Sequence, residues 1–229
     1  MMKRTNLFKL QSCFLGCWAV LISALAIAIA TTGKPELHLL FNQYTHSEGL
    51  DVFFKYFTKL AEYSPYILIA VLVVVALIKK EWRYAILSIS SQLLVTAIVQ
   101  VTKHIVNAPR PKTYFTENYP DMIGDLHWVE GVKMHSQYSF PSGHTASFFS
   151  VFFLLSIILT EHIHLADKKA DLSVKILIEL LCFLIAVVGS YSRLYLSQHF
   201  ASDVLAGAII GVVATIVCHY IVSQYSKQH

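Results

Sequence analysis

Apolar residues run along the chain in six long stretches, and the segments between them carry nearly all of the charge. The stretches extend approximately from Cys13 to Thr31, Tyr66 to Ile78, Tyr84 to Thr102, Thr145 to Leu159, Ile176 to Ser190 and Val204 to Val222. A helix needs about 20 mostly apolar residues, range roughly 17–25, to cross the hydrocarbon of a bilayer. The second, fourth and fifth stretches fall short of that and are expected to extend by a turn into semi-polar flanks. The pattern therefore predicts an all-α integral membrane bundle of six transmembrane helices. Ahead of the second stretch, "FFKYFTKLAEY" from Phe53 spaces its apolar and aromatic residues as a helix lying in the interface does. An interfacial helical segment is expected there, between the first and second spans.

Composition agrees with a chain written for lipid. Of 229 residues, 55% are hydrophobic and 14% charged, against about 25% charged in soluble domains; the mean hydropathy is +0.56. The net charge of +4 gives no support to a nucleic-acid partner, because in a membrane protein such an excess gathers in cytoplasmic loops and orients the helices. Lys3, Arg4 and Lys9, then Lys79, Lys80 and Arg83, then Lys168, Lys169 and Lys175 all fall on one face of a six-span chain. That face is expected to be cytoplasmic and to hold both termini. On the other face Lys34, Lys55 and Lys59 are balanced by Glu36, Glu48, Asp51 and Glu62.

The first stretch has the basic flank of a signal peptide. Its apolar run is longer than an h-region, and cleavage would leave an odd number of spans, so it is expected to remain as a signal anchor. Cys13, Cys17, Cys182 and Cys218 lie in or beside spans and are expected to act as small buried hydrophobes, with neither disulfides nor a metal site. There is no internal repeat and no linker, so residues 1–229 are expected to form one domain.

Three polar segments emerge on the non-cytoplasmic side and can converge: "KHIVNAPRP" (103–111), "FPSGH" (140–144) and "SRLYLSQHFASD" (192–203). They bring Lys103, Arg110 and Arg193 to the membrane boundary. Two such cations about 4 Å apart repel by roughly 1 kcal/mol in water and roughly 4 at an effective dielectric of 20. A multiply charged anion removes that conflict, and a guanidinium grips phosphate oxygens two at a time. Ser142 is placed to cap the fourth span, and Gly143 lets backbone approach a ligand, so the start of that helix adds its free N–H groups as a second anion-binding element. His199 stands four residues before Asp203; if the last helix has begun there, both project from one face. A carboxylate on one ring nitrogen frees the other to attack phosphorus, and His144 across the cradle is a candidate general acid.

Lys103 followed after six residues by Arg110-Pro111, then Pro141-Ser142-Gly143-His144, then Ser192-Arg193 with His199 and Asp203 resemble the three-part signature of the type 2 phosphatidic acid phosphatase superfamily at every fixed position. The resemblance spans residues 103 to 203. It implies that His199 is the nucleophile forming a phosphohistidine, that His144 donates the leaving-group proton, and that Asp203 orients His199. It implies phosphate binding by Lys103, Arg110, Ser142, Gly143 and Arg193, no metal or other cofactor, and inhibition by vanadate. It further implies a bacterial inner-membrane enzyme acting on lipid A phosphate, undecaprenyl pyrophosphate, phosphatidylglycerol phosphate or phosphatidic acid, with the active site facing the periplasm or exterior. The partners implied are the lipid phosphate and the bilayer, without an obligate protein partner. A phosphotransferase using the same phosphohistidine is the close alternative, and an anion transporter a remote one.

The other histidines fall outside the signature. His38, His46, His127, His135, His162, His164 and His229 are expected in solvated loops or the tail; His104 is a candidate second group behind Lys103; His219 is expected to be packed or interfacial. Glu179 is expected as an interfacial carboxylate at the cytoplasmic edge. Residues 36–63 and 112–139, the latter with Tyr114, Phe115, Tyr119, Trp128 and Tyr138, read either as a lid and lipid gate or as ordinary interfacial packing.

Overall fold

The computed structural model describes residue 7, residues 11–43 and residues 46–225. Among these, the regular elements are α1 (Ser12–Thr31), α2 (Lys34–Gln43), α3 (Glu48–Phe57), α4 (Leu60–Lys79), α5 (Arg83–Val106), α6 (Pro111–Asn118), α7 (Gly143–His162), α8 (Lys168–Tyr195) and α9 (Ala201–Tyr225), with a 3₁₀ turn at Pro120–Asp125. No strand occurs among the described residues. Among the described residues six spans are long and apolar enough to cross a membrane, the second and third taking in α3 and α6 (Glu48–Lys79 and Arg83–Asn118). The expected six-span, all-α architecture is present, with α2 between the first and second spans and α3, the segment expected to lie in the interface, continuous with the second. The basic residues Lys3, Arg4 and Lys9, and His229, lie outside the described residues.

The helices run beyond their apolar cores because caps, rather than hydropathy, end them. α8 begins eight residues before the apolar run that marks it: Asp167 accepts from Lys169 N at 2.7 Å and Ala170 N at 2.9 Å, satisfying first-turn donors in a charged segment. Ser47 caps α3 and Ser142 caps α7 in the same way. α3 carries exposed Val52, Phe53 and Tyr56 on one side, while Phe54 turns inward onto Tyr195 (ring centroids 4.5 Å apart).

α7 sits at the centre, packed by α4, α5, α8 and α9, with Phe148, Phe149 and Phe153 fully buried. Between helices in lipid there is little hydrophobic drive, so close backbone approach and dispersion hold the bundle. Gly207 and Gly211, four apart on α9, permit that approach: a Cβ at Gly207 would stand 2.5 Å from the Ser142 carbonyl oxygen, and one at Gly211 would stand 3.0 Å from Phe149 Cβ. The result is a direct bond from Ser142 N to the Asp203 carbonyl, 3.0 Å. This small-residue spacing fixes where the second and third signature segments meet.

The end of α5, the start of α7, the end of α8 and the start of α9 share one end of the bundle. At the opposite end Arg83, Glu161 and His219 form a network: Arg83 reaches Glu161 at 3.4 Å and the His219 ring at 3.3 Å. His219 is thus packed, as expected.

Glu179 is buried in the bundle rather than open to solvent. It is 3% exposed, and its Oε2 accepts from Cys13 N at 3.0 Å and Phe14 N at 2.9 Å, so a carboxylate of α8 caps the start of α1. Its position in the sequence resembles that of an edge residue, but the partner helix begins beside it and offers unpaired donors with a positive dipole end. Glu179→Ala should destabilise the detergent-solubilised protein by about 1–3 kcal/mol, the usual effect of leaving buried polar groups unpaired; a thermal-unfolding midpoint equal to the parent's would refute this role.

Candidate active site

The stretch from Arg193 to Asp203 folds as two helix ends joined by a tight turn. α8 closes with the Arg193 carbonyl accepting from Gln198 N (2.9 Å) and His199 N (3.2 Å), and Ser197 takes a positive φ of 48° to make the reversal. α9 begins at Ala201, so His199 precedes the helix and does not share a helical face with Asp203. The pair meets because Asp203, in the first turn, reaches back: its Oδ2 accepts from Phe200 N at 3.0 Å, as the third-residue carboxylate of a capping box does. The same oxygen accepts from Ser139 Oγ at 2.6 Å and lies 3.4 Å from His199 Nδ1. The four-residue spacing is correct for contact, through a cap rather than a helix face.

His199 is 1% exposed and Asp203 2% exposed. Burial pushes the His199 ring down to about 3; Asp203 opposes the shift, while Arg110 and Arg193 reinforce it. The ring is therefore neutral near pH 7 in the free protein. With Nδ1 turned to Asp203, Nε2 on the far side carries the available lone pair.

Arg193 is 5% exposed. Its Nη1 donates to Thr58 Oγ1 at 2.6 Å, and its Nε has no hydrogen-bond partner among the described residues. Arg110 donates to neutral acceptors: the Gln137 carbonyl (3.1 Å) and the carbonyl and side-chain oxygens of Gln198 (3.2 and 3.1 Å). Among the described residues, neither arginine nor Lys103 has a carboxylate within 4 Å. Three cations thus gather at the bundle end with no carboxylate in contact, and their desolvation is offset in part by the longer-range attraction of Asp203 for Lys103 and Arg110 and of Glu62 for Arg193.

The start of α7 completes the set. Ser142, fully buried, accepts from Thr145 N (3.3 Å) and from Thr145 Oγ1 (2.9 Å). Gly143 follows, where a Cβ would meet only Val99 at 3.4 Å, an ordinary contact. His144 has Arg193, His199, Lys103 and Arg110 as its electrostatic neighbours, so the tertiary structure brings all three signature segments together. Its Nε2 lies 3.1 Å from Glu62 Oε1 on α4.

Several contributors carry no local sequence signal. Glu62 is 82 residues from His144, and Thr58 and Ser139 lie in the two loops read as lid or packing. Residues 112–139 underlie the site: the Ser136 carbonyl accepts from Arg110 N (2.9 Å), the Gln137 carbonyl holds the Arg110 side chain, and Ser139 holds Asp203. Residues 36–63 supply Thr58 and Glu62.

Some histidines also sit differently from expectation. His38 is 1% exposed, its Nε2 3.1 Å from Ser197 Oγ and its ring against Phe115 and Phe200; burial pushes it down to about 4, and it braces the turn before His199. His46 and His127 are half-buried and stack on each other. His104 is exposed and bonds the Gln100 carbonyl of its own helix at 2.8 Å, so it does not support Lys103. His135, His162 and His164 are exposed, as expected.

The family model of the PAP2 superfamily matches residues 81–227. Lipid phosphate phosphatase 2 of Arabidopsis thaliana is 32% identical over 149 residues, 61% of this chain and 51% of that protein; the chain spans about half the length of the curated relatives it first matches. The crystal structure of Aquifex aeolicus LpxE superposes with a TM-score of 0.58 at 30% identity, covering 80% of this chain and 92% of that one. The transmembrane PAP2 type phosphatidylglycerolphosphate phosphatase from Bacillus subtilis shares the fold, with a TM-score of 0.55 at 21% identity over 96% of this chain and 97% of that one.

Proposed function

The chain belongs to the PAP2 superfamily and is a multi-pass membrane protein, and from that premise we propose that it is a metal-independent lipid phosphatase working through a phosphohistidine. The observation that carries this reading is the convergence of Lys103, Arg110 and Arg193, without a carboxylate partner, on the buried His199–Asp203 pair. Such a site favours a phosphate group, whose charge relieves the repulsion among the cations.

The chemistry follows from the atoms present. His199 Nε2 attacks phosphorus, forming the N–P bond as the bond to the lipid oxygen breaks. His144, held by Glu62, gives its proton to that departing oxygen. In the second half His144 accepts a proton from water, which attacks the phosphohistidine and releases inorganic phosphate and free His199. Ser142, Gly143 and the first N–H groups of α7 bind the phosphoryl oxygens together with the three cations. Residues 1–229 act as a single domain in this reading.

The substrate class is a lipid phosphomonoester or pyrophosphate, and the test is a panel of purified lipid A, undecaprenyl pyrophosphate, phosphatidylglycerol phosphate and phosphatidic acid in detergent, with and without EDTA. Free phosphate from at least one of them, undiminished by chelation, is expected. Labelled phosphate appearing on an added acceptor lipid instead would assign the chain as a phosphotransferase. Release that stops on chelation in the parent and in an active His46→Ala variant alike would overturn the metal-independent route. A transporter would place its charges near the midplane, whereas these stand at one end of the bundle.

Gly143 offers a sharper check of the phosphate cradle. Because the protein itself leaves room for a Cβ there, Gly143→Ala should keep the parent's thermal midpoint. Its phosphatase rate should nevertheless fall by roughly tenfold to a hundredfold, the scale of a small misplacement in a site that works by positioning. An unchanged rate would remove Gly143 from the cradle.

We place the site on the periplasmic or exterior face of an inner membrane, on the strength of the basic loops at the opposite end. A cysteine at exposed Asp121 in the 3₁₀ turn should react with an impermeant maleimide added to intact cells or spheroplasts. Labelling only after the inner membrane is broken would invert the topology.

A further inference from the structure

None of the signature residues takes part in a second cluster, where α3 and the segment after the 3₁₀ turn meet the end of α8. His127 Nε2 lies 2.9 and 3.1 Å from the two carboxylate oxygens of Asp51, and His46 Nδ1 lies 3.7 Å from Oδ1. The His46 and His127 rings stack with centroids 3.5 Å apart. One potential ligand atom from each of the three residues lies within 4.8 Å of the other two.

Two further features set this cluster apart from an ordinary surface ion pair. Both ring nitrogens of His46 are shielded from solvent and lack a hydrogen-bond partner among the described residues; that is an unfavourable state for a polar ring, and one that a bound ion would relieve. The rest of the cluster is held in place from behind. Tyr195 donates its hydroxyl to Asp51 Oδ1 (2.5 Å), while Asn42 accepts from His127 N (2.8 Å) and donates to the Tyr195 carbonyl (2.9 Å). Outer partners of this kind orient ligands in metal sites.

We propose that His46, Asp51 and His127 bind one zinc ion, with water completing a tetrahedral site. Ligand bonds of about 2.0–2.2 Å put neighbouring ligand atoms roughly 3.3–3.6 Å apart, and the contacts to Asp51 bracket that spacing. His46, whose ring nitrogens hold no hydrogen bond among the described residues, closes the remaining gap by turning its ring out of the stack on His127. Two imidazoles with one carboxylate suit zinc and its transition-metal neighbours and disfavour magnesium and calcium, which prefer oxygen ligands. The ion fastens α3 and the segment around His127 to the end of α8. α3 leads directly to Thr58, the residue that holds Arg193.

The test uses untagged full-length protein in detergent, stripped with a chelator and titrated calorimetrically with zinc chloride. One saturable site of micromolar affinity is expected, with a rise in the thermal midpoint; magnesium should produce neither. His46→Ala should weaken zinc binding at least as much as loss of an outer partner does, roughly 10–100-fold, and should abolish the zinc-induced rise in midpoint measured from the variant's own stripped state, since the ring also packs on His127. His127→Ala should weaken binding similarly, whereas His164→Ala, at the other end of the bundle, should not. No saturable zinc binding, or binding that neither His46→Ala nor His127→Ala weakens, would overturn the proposal. So would binding lost in His199→Ala or His144→Ala. Since the readout is metal affinity, the outcome is independent of whether the chain proves to be a phosphatase.

Discussion

His199→Ala is expected to reduce phosphate release from the best lipid substrate by roughly ten-thousandfold or more, as loss of a covalent nucleophile does in hydrolases whose catalytic residues act as a unit. The ring is 1% exposed and neutral in the free protein, so in the proposed mechanism it starts with its lone pair available. Without it the cradle is left with no unengaged nucleophile: Arg110, Arg193 and Lys103 are cations, Ser142 Oγ accepts from Thr145, and His144 Nε2 is bonded to Glu62. The cations stay, so the variant should still bind phosphate or vanadate, and its folding should be intact by size exclusion. The parent quenched during turnover with labelled substrate should carry an acid-labile phosphohistidine that the variant lacks. His144→Ala should still take up that label slowly, with turnover down by roughly 10²–10⁴-fold, the scale of lost general acid catalysis. Full activity in His199→Ala would end the phosphohistidine reading.

Gly207→Ala is the second large effect, and it acts through packing. A methyl at this position stands 2.5 Å from the Ser142 carbonyl oxygen and 3.0 Å from Thr145 Cβ. Both neighbours belong to the first turn of α7, so neither can move as a flexible side chain would. Overpacking of this kind costs about 1–3 kcal/mol, and here α9 must shift away from α7. The Ser142 N to Asp203 O bond spans the same contact, so Asp203, and with it His199, would be displaced from the start of α7. A displacement near 1 Å can cost roughly a hundredfold in rate. A lower thermal midpoint together with a loss of that order in kcat is expected; parent-like kcat would mean that the α7–α9 contact does not position the chemistry.

The sequence determined the number and order of the spans, because lipid admits only long apolar helices and the charges that interrupt them are few. It also made the candidate site residues legible: Lys103, Arg110, Ser142, His144, Arg193, His199 and Asp203 are polar groups that apolar spans do not need, and the fold gathers them at one end of the bundle. Helix ends were less legible: the Ser142 cap could be read from its place before the fourth span, but Asp167 and Ser47 set theirs through hydrogen bonds that hydropathy does not register. Asp203 meets His199 through a cap rather than across a helical face, and Glu179 caps a helix some 165 positions away in the chain.

Only the tertiary structure decided which residues support the signature. Glu62 against His144, Thr58 against Arg193, Ser139 against Asp203 and His38 beneath the turn are contacts between segments far apart in sequence, and no periodicity encodes them. The same holds for His46, Asp51 and His127, which come together only when α3 and the segment after the 3₁₀ turn close on the end of α8. The physical reason is one of range: hydrophobic pattern and capping act over a few residues along the chain, whereas a site is assembled by helix packing, which Gly207 and Gly211 set by letting two backbones touch.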